Sequence, residues 1–464
     1  MFVFDARIAD LVLGYCRERL ALDPVPLDYG GYSTPLGDVL DGIISPEGNE
    51  ADRVLEIFAN HLATAVISSD SPRFVSFIPA APTKASLLFD MVVSSSSLQA
   101  TSWLEAAGAV CAENQTLGVL AGLAGLPAGA GGCFVSGGSA ANLSALMVGR
   151  DTAALRGHHA GRPRFACTEE AHSSVGKALR VLGLEPFLVP AVDHRLTGEA
   201  LEAALGSGRV GAADVVGVVA TAGTTNAGIV DDLGGVAAVA SRRRLWFHVD
   251  AAYGGGALFA PSARALFEGI ELADSLVVDP HKWLFGPYDC AALIYREPAL
   301  AKAVHTQDAA YLDVIHEAIP GDGALVDPLA PDSTGEVPWN PTDYAYHLTR
   351  RARGLPLWFS LAVHGTNAYR DAVEAVLENA RAAAELISET PYLQLVRQPA
   401  LSIVLFRRRG WSRSDYDSWS AKLLADQIAF LTPTSWEGEV AARLALLHPD
   451  TTVDIIREIV GTMA

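Results

Sequence analysis

The stretch Ala273-Asp-Ser-Leu-Val-Val-Asp-Pro-His-Lys-Trp-Leu-Phe-Gly-Pro287 decides how the rest of the chain is read. Ser275-Leu-Val-Val278 is short and almost wholly apolar, which predicts a buried strand. Lys282 follows just beyond it, at the strand end where α/β proteins present reactive groups. Only five lysines occur, at 84, 177, 282, 302 and 422, and the other basic residues are arginine. Arginine cannot form an imine, whereas a lysine with a lowered pKa can. The competing reading is a surface lysine after a turn proline, so the choice rests on what surrounds it.

Outward from this strand, six more runs read the same way: Cys133-Val135, Arg164-Thr168, Pro186-Val189, Val215-Ala220, Leu245-Asp250 and Ala291-Tyr295. Runs apolar on both faces and separated by helical stretches predict a mainly parallel sheet covered on both sides. This region spans about 81–350. Residues 1–80 hold helical patterns broken by segments such as Asp23-Pro-Val-Pro26, with Val54, Leu55, Phe58 and Leu62 forming one apolar face. That arm is too thin to bury a core alone, which suggests packing on a partner subunit. Residues 351–464 change character, with a helix over Thr366–Glu389, strand-like runs at Leu401-Phe406 and Ala442-Leu447, and a last helix starting near Asp450-Thr-Thr452. They predict a small α+β domain.

A chain of 464 residues is long enough for two or more domains. Its net charge of −19 repels nucleic acid phosphates and anionic lipid, which argues against a nucleic-acid or membrane-surface role. Cys16, Cys111, Cys133, Cys167 and Cys290 are odd in number and scattered, so neither a disulfide framework nor a metal site is expected, and the cytoplasm is the natural compartment. Met1 to Asp10 lacks a signal-peptide pattern, and no apolar run reaches the ~20 residues that span a bilayer.

Four further motifs fall at strand C-termini. Ser136-Gly-Gly-Ser-Ala-Ala-Asn142 opens a helix; its glycines admit an anion to the helix N-terminus, and Ser139 can add a bond to a phosphate. Taken singly, such a turn is often only structural. Thr168-Glu-Glu-Ala-His-Ser-Ser-Val175 carries His172, which can stack on a flat cofactor, although a lone histidine more commonly serves structure. Thr221-Ala-Gly-Thr-Thr-Asn-Ala-Gly228 offers hydroxyls at Thr224 or Thr225. In Leu245-Trp-Phe-His-Val-Asp-Ala-Ala-Tyr-Gly-Gly255, Asp250 ends an apolar run and needs a partner, and Ala251 and Ala252 leave room for a flat ring. A carboxylate beside a pyridine nitrogen keeps the ring protonated and electron-withdrawing. Phosphate cradle, carboxylate and imine-forming lysine together specify pyridoxal phosphate.

From about Pro72 to Leu447 the chain resembles the pyridoxal-phosphate-dependent group II amino acid decarboxylases, which include the aromatic-L-amino-acid, glutamate, cysteine-sulfinate and diaminobutyrate enzymes. Asp279-Pro-His-Lys-Trp283 carries the resemblance most specifically, with Glu170-Ala-His-Ser-Ser174 and His248-Val-Asp-Ala-Ala-Tyr253 close behind. The resemblance implies the aspartate aminotransferase type (fold type I) of α/β fold: a large domain with a seven-stranded, mainly parallel sheet, a small C-terminal α+β domain, and a homodimer with shared active sites. It implies that Lys282 holds the cofactor as an internal aldimine, Asp250 pairs with the pyridine nitrogen, and His172 stacks on the ring. Gly138, Ser139 and His281 would bind the phosphate, Ala252 would lie against the cofactor, and Thr224 would contact ring or substrate. Tyr311, in Gln307-Asp-Ala-Ala-Tyr-Leu312, fits the position of a loop tyrosine that protonates the carbanion, and Gly321 to Pro341 has the composition of a lid. Arg443 matches an arginine that meets a substrate carboxylate in the glutamate branch.

Two departures stand out. Asp279 replaces a frequent Asn, so it must point away from the phosphate or be held by another donor. Phe77-Ile-Pro-Ala80 and Thr101 differ from the aromatic-substrate pattern and point to a remodelled pocket. The expected reaction is decarboxylation of an L-α-amino acid to its amine and carbon dioxide through a quinonoid. An aromatic or medium apolar substrate is favoured by Phe77, Ile78 and Trp103. The alternatives are a fold type I aminotransferase, a decarboxylation-dependent aldehyde synthase and a non-catalytic cofactor-binding protein.

Overall fold

A computed structural model describes residues 2–28, 35–79, 81–159, 161–316 and 339–464. The chain forms two compact units. One comprises Ala85–Glu378 with Pro399–Ile403; the other comprises Met1–Lys84, Asn379–Gln398 and Val404–Ala464.

The first unit is built on a sheet of β1 (Gly131–Val135), β2 (Arg164–Cys167), β3 (Glu185–Leu188), β4 (Val215–Thr221), β5 (Trp246–Asp250), β6 (Ser275–Val278) and β7 (Ala291–Tyr295). Its order is β1-β7-β6-β5-β4-β2-β3. Strands β3, β2, β4, β5 and β6 run parallel, while β7 is antiparallel to both β6 and β1. Every residue of β1, β4, β5, β6 and β7 is buried, as expected for strands with helices on both faces. The sheet is therefore the seven-stranded, mainly parallel one that the apolar runs predict, and each run coincides with one strand.

Glycine fixes the β1 edge. A Cβ on Gly132 would lie 2.0 Å from the Leu293 carbonyl oxygen, so the β1–β7 pairing at this point admits no side chain. Parallel strands bring the carboxyl ends of β2, β4, β5 and β6 to one edge. There the chain turns into the helices Gly138–Asp151 and Ser173–Val181 and the one-turn helix Pro280–Trp283.

The second unit contains the antiparallel sheet β10-β11-β9-β8, formed by β8 (Leu393–Leu395), β9 (Ile403–Arg408), β10 (Thr434–Trp436) and β11 (Glu439–Ala445). The Val75 N–H donates to the Phe430 carbonyl, and the Ala445 N–H donates to the Val75 carbonyl, so the segment around Val75 is bound to this C-terminal region. Helix Ala6–Leu20 belongs to the same unit and has no buried residue. Among the described residues no helix is long and apolar enough to cross a membrane.

Candidate active site

The strand ends enclose a cavity of about 440 Å³ in the first unit. Of the residues predicted for the site, Gly138, Ser139, His172, Asp250, Ala252, His281 and Lys282 all line it. Asp279, Asp289 and Thr225 line it as well.

Lys282 Nζ donates to Asp279 Oδ2 at 2.9 Å, and Asp279 is only 2% exposed. Burial alone would lower the lysine's proton affinity. The charge of Asp279 and its hydrogen bond, helped by Asp250 and Tyr288, outweigh burial and raise it above the ordinary value. The lowered lysine pKa expected from the sequence is thus corrected, and the aspartate that departs from the family pattern is the reason. It is also the donor question answered: Lys282 holds Asp279. The other oxygen, Oδ1, has no hydrogen-bond partner among the described residues.

Asp279 also bears on the glycine turn. A Cβ built on Gly138 would come within 3.1 Å of Asp279 Oδ2 and 3.1 Å of the Ala252 methyl. At that distance the neighbours would have to give by a few tenths of an ångström, so the close approach favours a glycine at the first turn of Gly138–Asp151. His281 is held through Nδ1, which accepts the Cys290 N–H at 2.9 Å. Its proton therefore resides on Nε2, 3.6 Å from Asp279 Oδ2. Burial pushes the His281 pKa down, Asp279 opposes this, and Lys282 reinforces it.

Asp250, 5% exposed, is held by two donors: the Ala252 N–H to Oδ1 at 3.1 Å and Asn142 Nδ2 to Oδ2 at 2.8 Å. Asn142 Nδ2 also reaches Ser174 Oγ at 2.9 Å, and Asn142 Oδ1 lies 2.9 Å from His248 Nε2. His248 Nδ1 lies 2.8 Å from Ser275 Oγ, which accepts the Trp246 indole N–H at 2.9 Å. His172 Nδ1 is 2.8 Å from Ser174 Oγ and accepts the Ser174 N–H at 3.2 Å. The sequence reading assigns no role to Asn142, Ser174, His248 or Ser275. Two signals were available: His248 and Asp250 are two apart on a strand and so share a face, and Asn142 falls on the first turns of the helix opened by the glycine motif.

Other predicted residues lie elsewhere. Thr224 does not line the cavity; its hydroxyl accepts the Ile229 N–H at 3.1 Å and closes the turn, while Thr225 takes the cavity position. Thr101 is buried, and its hydroxyl has no hydrogen-bond partner among the described residues. Trp103 belongs to the hydrophobic core rather than to the cavity wall. Tyr311 sits in the turn Ala310–Leu312, 72% exposed and outside the cavity lining. Of the lid expected over Gly321 to Pro341, residues up to 338 lie outside the described residues. Phe77, Ile78 and Arg443 belong to the second unit. There Phe77 is 61% exposed with a left-handed φ of 49°, and Arg443 is buried on β11.

A glycine-lined helix start, a buried carboxylate on a strand end and a lysine beyond the next strand define a fold type I site for a phosphorylated pyridine aldehyde, and the donor set fits pyridoxal phosphate. Comparison with known proteins agrees. The model of the pyridoxal-dependent decarboxylase conserved domain matches residues 38–409. The chain is 29% identical to the aromatic-L-amino-acid decarboxylase of Bacillus atrophaeus, over 96% of this chain and 93% of that one. It is 35% identical to the L-2,4-diaminobutyrate decarboxylase of Rhizobium meliloti, over 81% of this chain and 74% of that one. The crystal structure of Oryza sativa TDC with PLP and tryptamine shares the fold, with a TM-score of 0.85, 23% identity and coverage of 100% and 99% of the two chains. The chain belongs to the pyridoxal-dependent decarboxylase family. It is a PLP-dependent amino acid decarboxylase, a carboxy-lyase.

Proposed function

We propose that this enzyme decarboxylates an L-α-amino acid with an aromatic or medium apolar side chain, and that it works as a cytoplasmic homodimer. The observation that carries this is the convergence of Lys282, Asp250, His172 and the Gly138–Ser139 turn on one cavity. Bound pyridoxal phosphate supplies an aldehyde that condenses with amines and a protonated ring that accepts the electron pair freed when carbon dioxide leaves.

The chain's own residues do the rest. Lys282 attaches the cofactor, and Gly138, Ser139 and His281 hold its phosphate. Asp250 faces the ring nitrogen and keeps it protonated by opposite charge. His172 covers one face of the ring. Its Nδ1 faces the N–H and hydroxyl of Ser174, so in the neutral ring Nε2 carries the hydrogen; the doubly protonated ring is the form that can give a proton to Cα, returning to the neutral imidazole. Tyr311 is the other proton-donor candidate.

The substrate preference rests on charge. Among the described residues lining the cavity there is no arginine, and Lys282 is committed to the cofactor, so an acidic side chain finds no arginine or second lysine among them. A basic side chain is the second reading: Asp289 lines the cavity, and one relative at 35% identity is an L-2,4-diaminobutyrate decarboxylase. The dimer is supported by the helix Ala6–Leu20, which buries nothing, and by Phe2, Val3, Phe4 and Ile44, each more than four-fifths exposed. The cytoplasm is supported by five cysteines that form no disulfide among the described residues.

Carbon dioxide release from a panel of L-amino acids tests the reaction, with the organic product identified in parallel. Amine from tryptophan, tyrosine, phenylalanine or leucine supports the first reading, and amine from 2,4-diaminobutyrate alone supports the second. Aldehyde and hydrogen peroxide would instead indicate an oxidative synthase. Borohydride trapping should label the peptide containing Lys282 and fail in Lys282→Ala. Tyr311→Phe and His172→Gln separate the proton donors: the true donor's loss should lower amine formation on the order of 10²–10⁴-fold.

A further inference from the structure

We propose that Asn142 is a positioning residue: its side-chain amide locks the carboxylate of Asp250 and, through Ser174, the ring of His172 into one hydrogen-bonded unit. The inference rests on the reading of Asp250 and His172 as the groups that face the cofactor ring.

The direction of every bond in this unit follows from one end. An ionised carboxylate only accepts, so the Asn142 atom at 2.8 Å from Asp250 Oδ2 is its NH₂ group. The amide oxygen then faces His248 at 2.9 Å, and His248 must donate from Nε2. With its one hydrogen on Nε2, the neutral imidazole accepts at Nδ1 from the Ser275 hydroxyl, whose oxygen accepts the Trp246 N–H. The neutral state is consistent with burial, which pushes His248 down to about 4 against the opposing charge of Asp250. The second Asn142 N–H goes to Ser174 Oγ, so the Ser174 hydroxyl is left to donate to His172 Nδ1.

An amide is the side chain this position requires. It must donate to two acceptors and accept from one donor, all within 2.9 Å, and Asn142 is 1% exposed, so water does not substitute. A leucine of similar size leaves Asp250 and His248 each short of a buried partner. An aspartate keeps the acceptor toward His248 but places a second carboxylate against Asp250, and such a pair shares one proton. The titratable groups facing this position are Asp250 and His248 from β5 and His172 through Ser174. Lys282 acts on Asp250, and Asp279 lies against Gly138 on Asn142's own helix.

The test uses enzyme reconstituted with ¹⁵N-labelled pyridoxal phosphate. Cofactor Kd is read by titration, and the ring-nitrogen signal by NMR. Asn142→Leu is expected to weaken cofactor binding by about tenfold to a hundredfold, the scale of one hydrogen bond to a charged group, and to shift the ring signal. Asn142→Asp should show a titration step in that signal which the unmodified enzyme lacks, a response that a merely space-filling role does not produce. Ser174→Ala should shift the His172 ring resonances and leave the cofactor nitrogen in place. If Asn142→Leu does not fold, the aspartate and Ser174 variants carry the test. Unchanged Kd and ring signal in the Asn142 variants overturn the proposal, and an unmoved His172 signal in Ser174→Ala overturns its second half. Asp250→Ala is the control: if it too leaves the ring signal unmoved, the cofactor-facing reading of Asp250 has failed instead.

Discussion

Asp279 stands where a carboxylate is least welcome. It is bonded to Lys282 Nζ and lies against Gly138, the glycine that opens the proposed phosphate cradle. A phosphate bound there would meet a like charge that a neutral amide would not present. Asp279→Asn keeps shape and burial and removes the charge. We expect it to tighten pyridoxal phosphate binding by about tenfold, equivalent to about 1.4 kcal/mol, with no comparable gain for pyridoxal, which lacks the phosphate. Fluorescence titration with both compounds checks this; an equal gain for both would place the effect on Lys282 and not on the anion. The sequence exposes Asp279 as a departure from pattern, since residue type alone shows the extra charge. Which donor holds it is a matter of side-chain geometry, and that is why a lowered lysine pKa is expected from sequence while the structure gives a raised one.

At the scale of elements, the strands were legible because burial on both faces leaves a simple mark: short, branched, apolar runs ending in polar turns. Their margins were not. The run predicted from Cys133 begins at Gly131 in the structure, because Gly131 and Gly132 pair with Tyr295 and Ile294 yet contribute no hydrophobic signal. Gly132→Ala tests how firmly that edge is set. Its Cβ would meet the Leu293 carbonyl oxygen at 2.0 Å, and backbone cannot rotate away as a side chain can. We expect a loss of about 3 kcal/mol or more, comparable to the worst core substitutions, seen as a lowered urea midpoint; a neutral result would mean that β1 can slide outward. The predicted helix at Thr366–Glu389 shows the same limit. The structure has helix from Leu355 to Glu389 with Gly365 at φ 76°, so the sequence reading found only the part after the glycine break. The last helix does begin after Thr452, although Thr452 makes no side-chain cap bond. Within the site, backbone-defined features were legible as turns after strands. The hydrogen-bonded chain behind Asp250 was not, because Asn142, Ser174 and His248 lie far apart in sequence and meet only through strand order.

For the molecule as a whole, buried ionisable groups set how stability responds to pH. His305 is 5% exposed, donates from Nε2 toward the Ser144 carbonyl at 3.2 Å, and is pushed by burial down to about 4. In the unfolded chain a histidine titrates near 6.5. Between these values the unfolded state binds a proton that the folded state refuses, so this contribution is complete above about pH 6.5 and is lost as pH falls toward 4. Asp231 acts in the opposite sense. Burial raises it to about 7, against the N–H groups of Thr221 and Leu196, so it favours the folded state most at low pH and loses that advantage as pH rises through 7. The two trends overlap, and His248 and His347, also pushed down by burial, act in the same sense as His305, so a pH curve of the unmodified enzyme records a sum of several groups. His305→Gln isolates one of them, since glutamine can still donate toward Ser144 and does not titrate. We expect it to cost little at pH 7.5 beyond imperfect packing. By pH 5 the variant should gain about 2 kcal/mol relative to the unmodified enzyme, from the roughly 1.5 pH units between the unfolded value near 6.5 and pH 5, a range in which folded His305 stays neutral. Urea unfolding of both proteins at the two pH values measures this directly. A difference between them that does not change with pH would mean that His305 takes its proton in the folded state as readily as in the unfolded one, and burial would then not be what governs it.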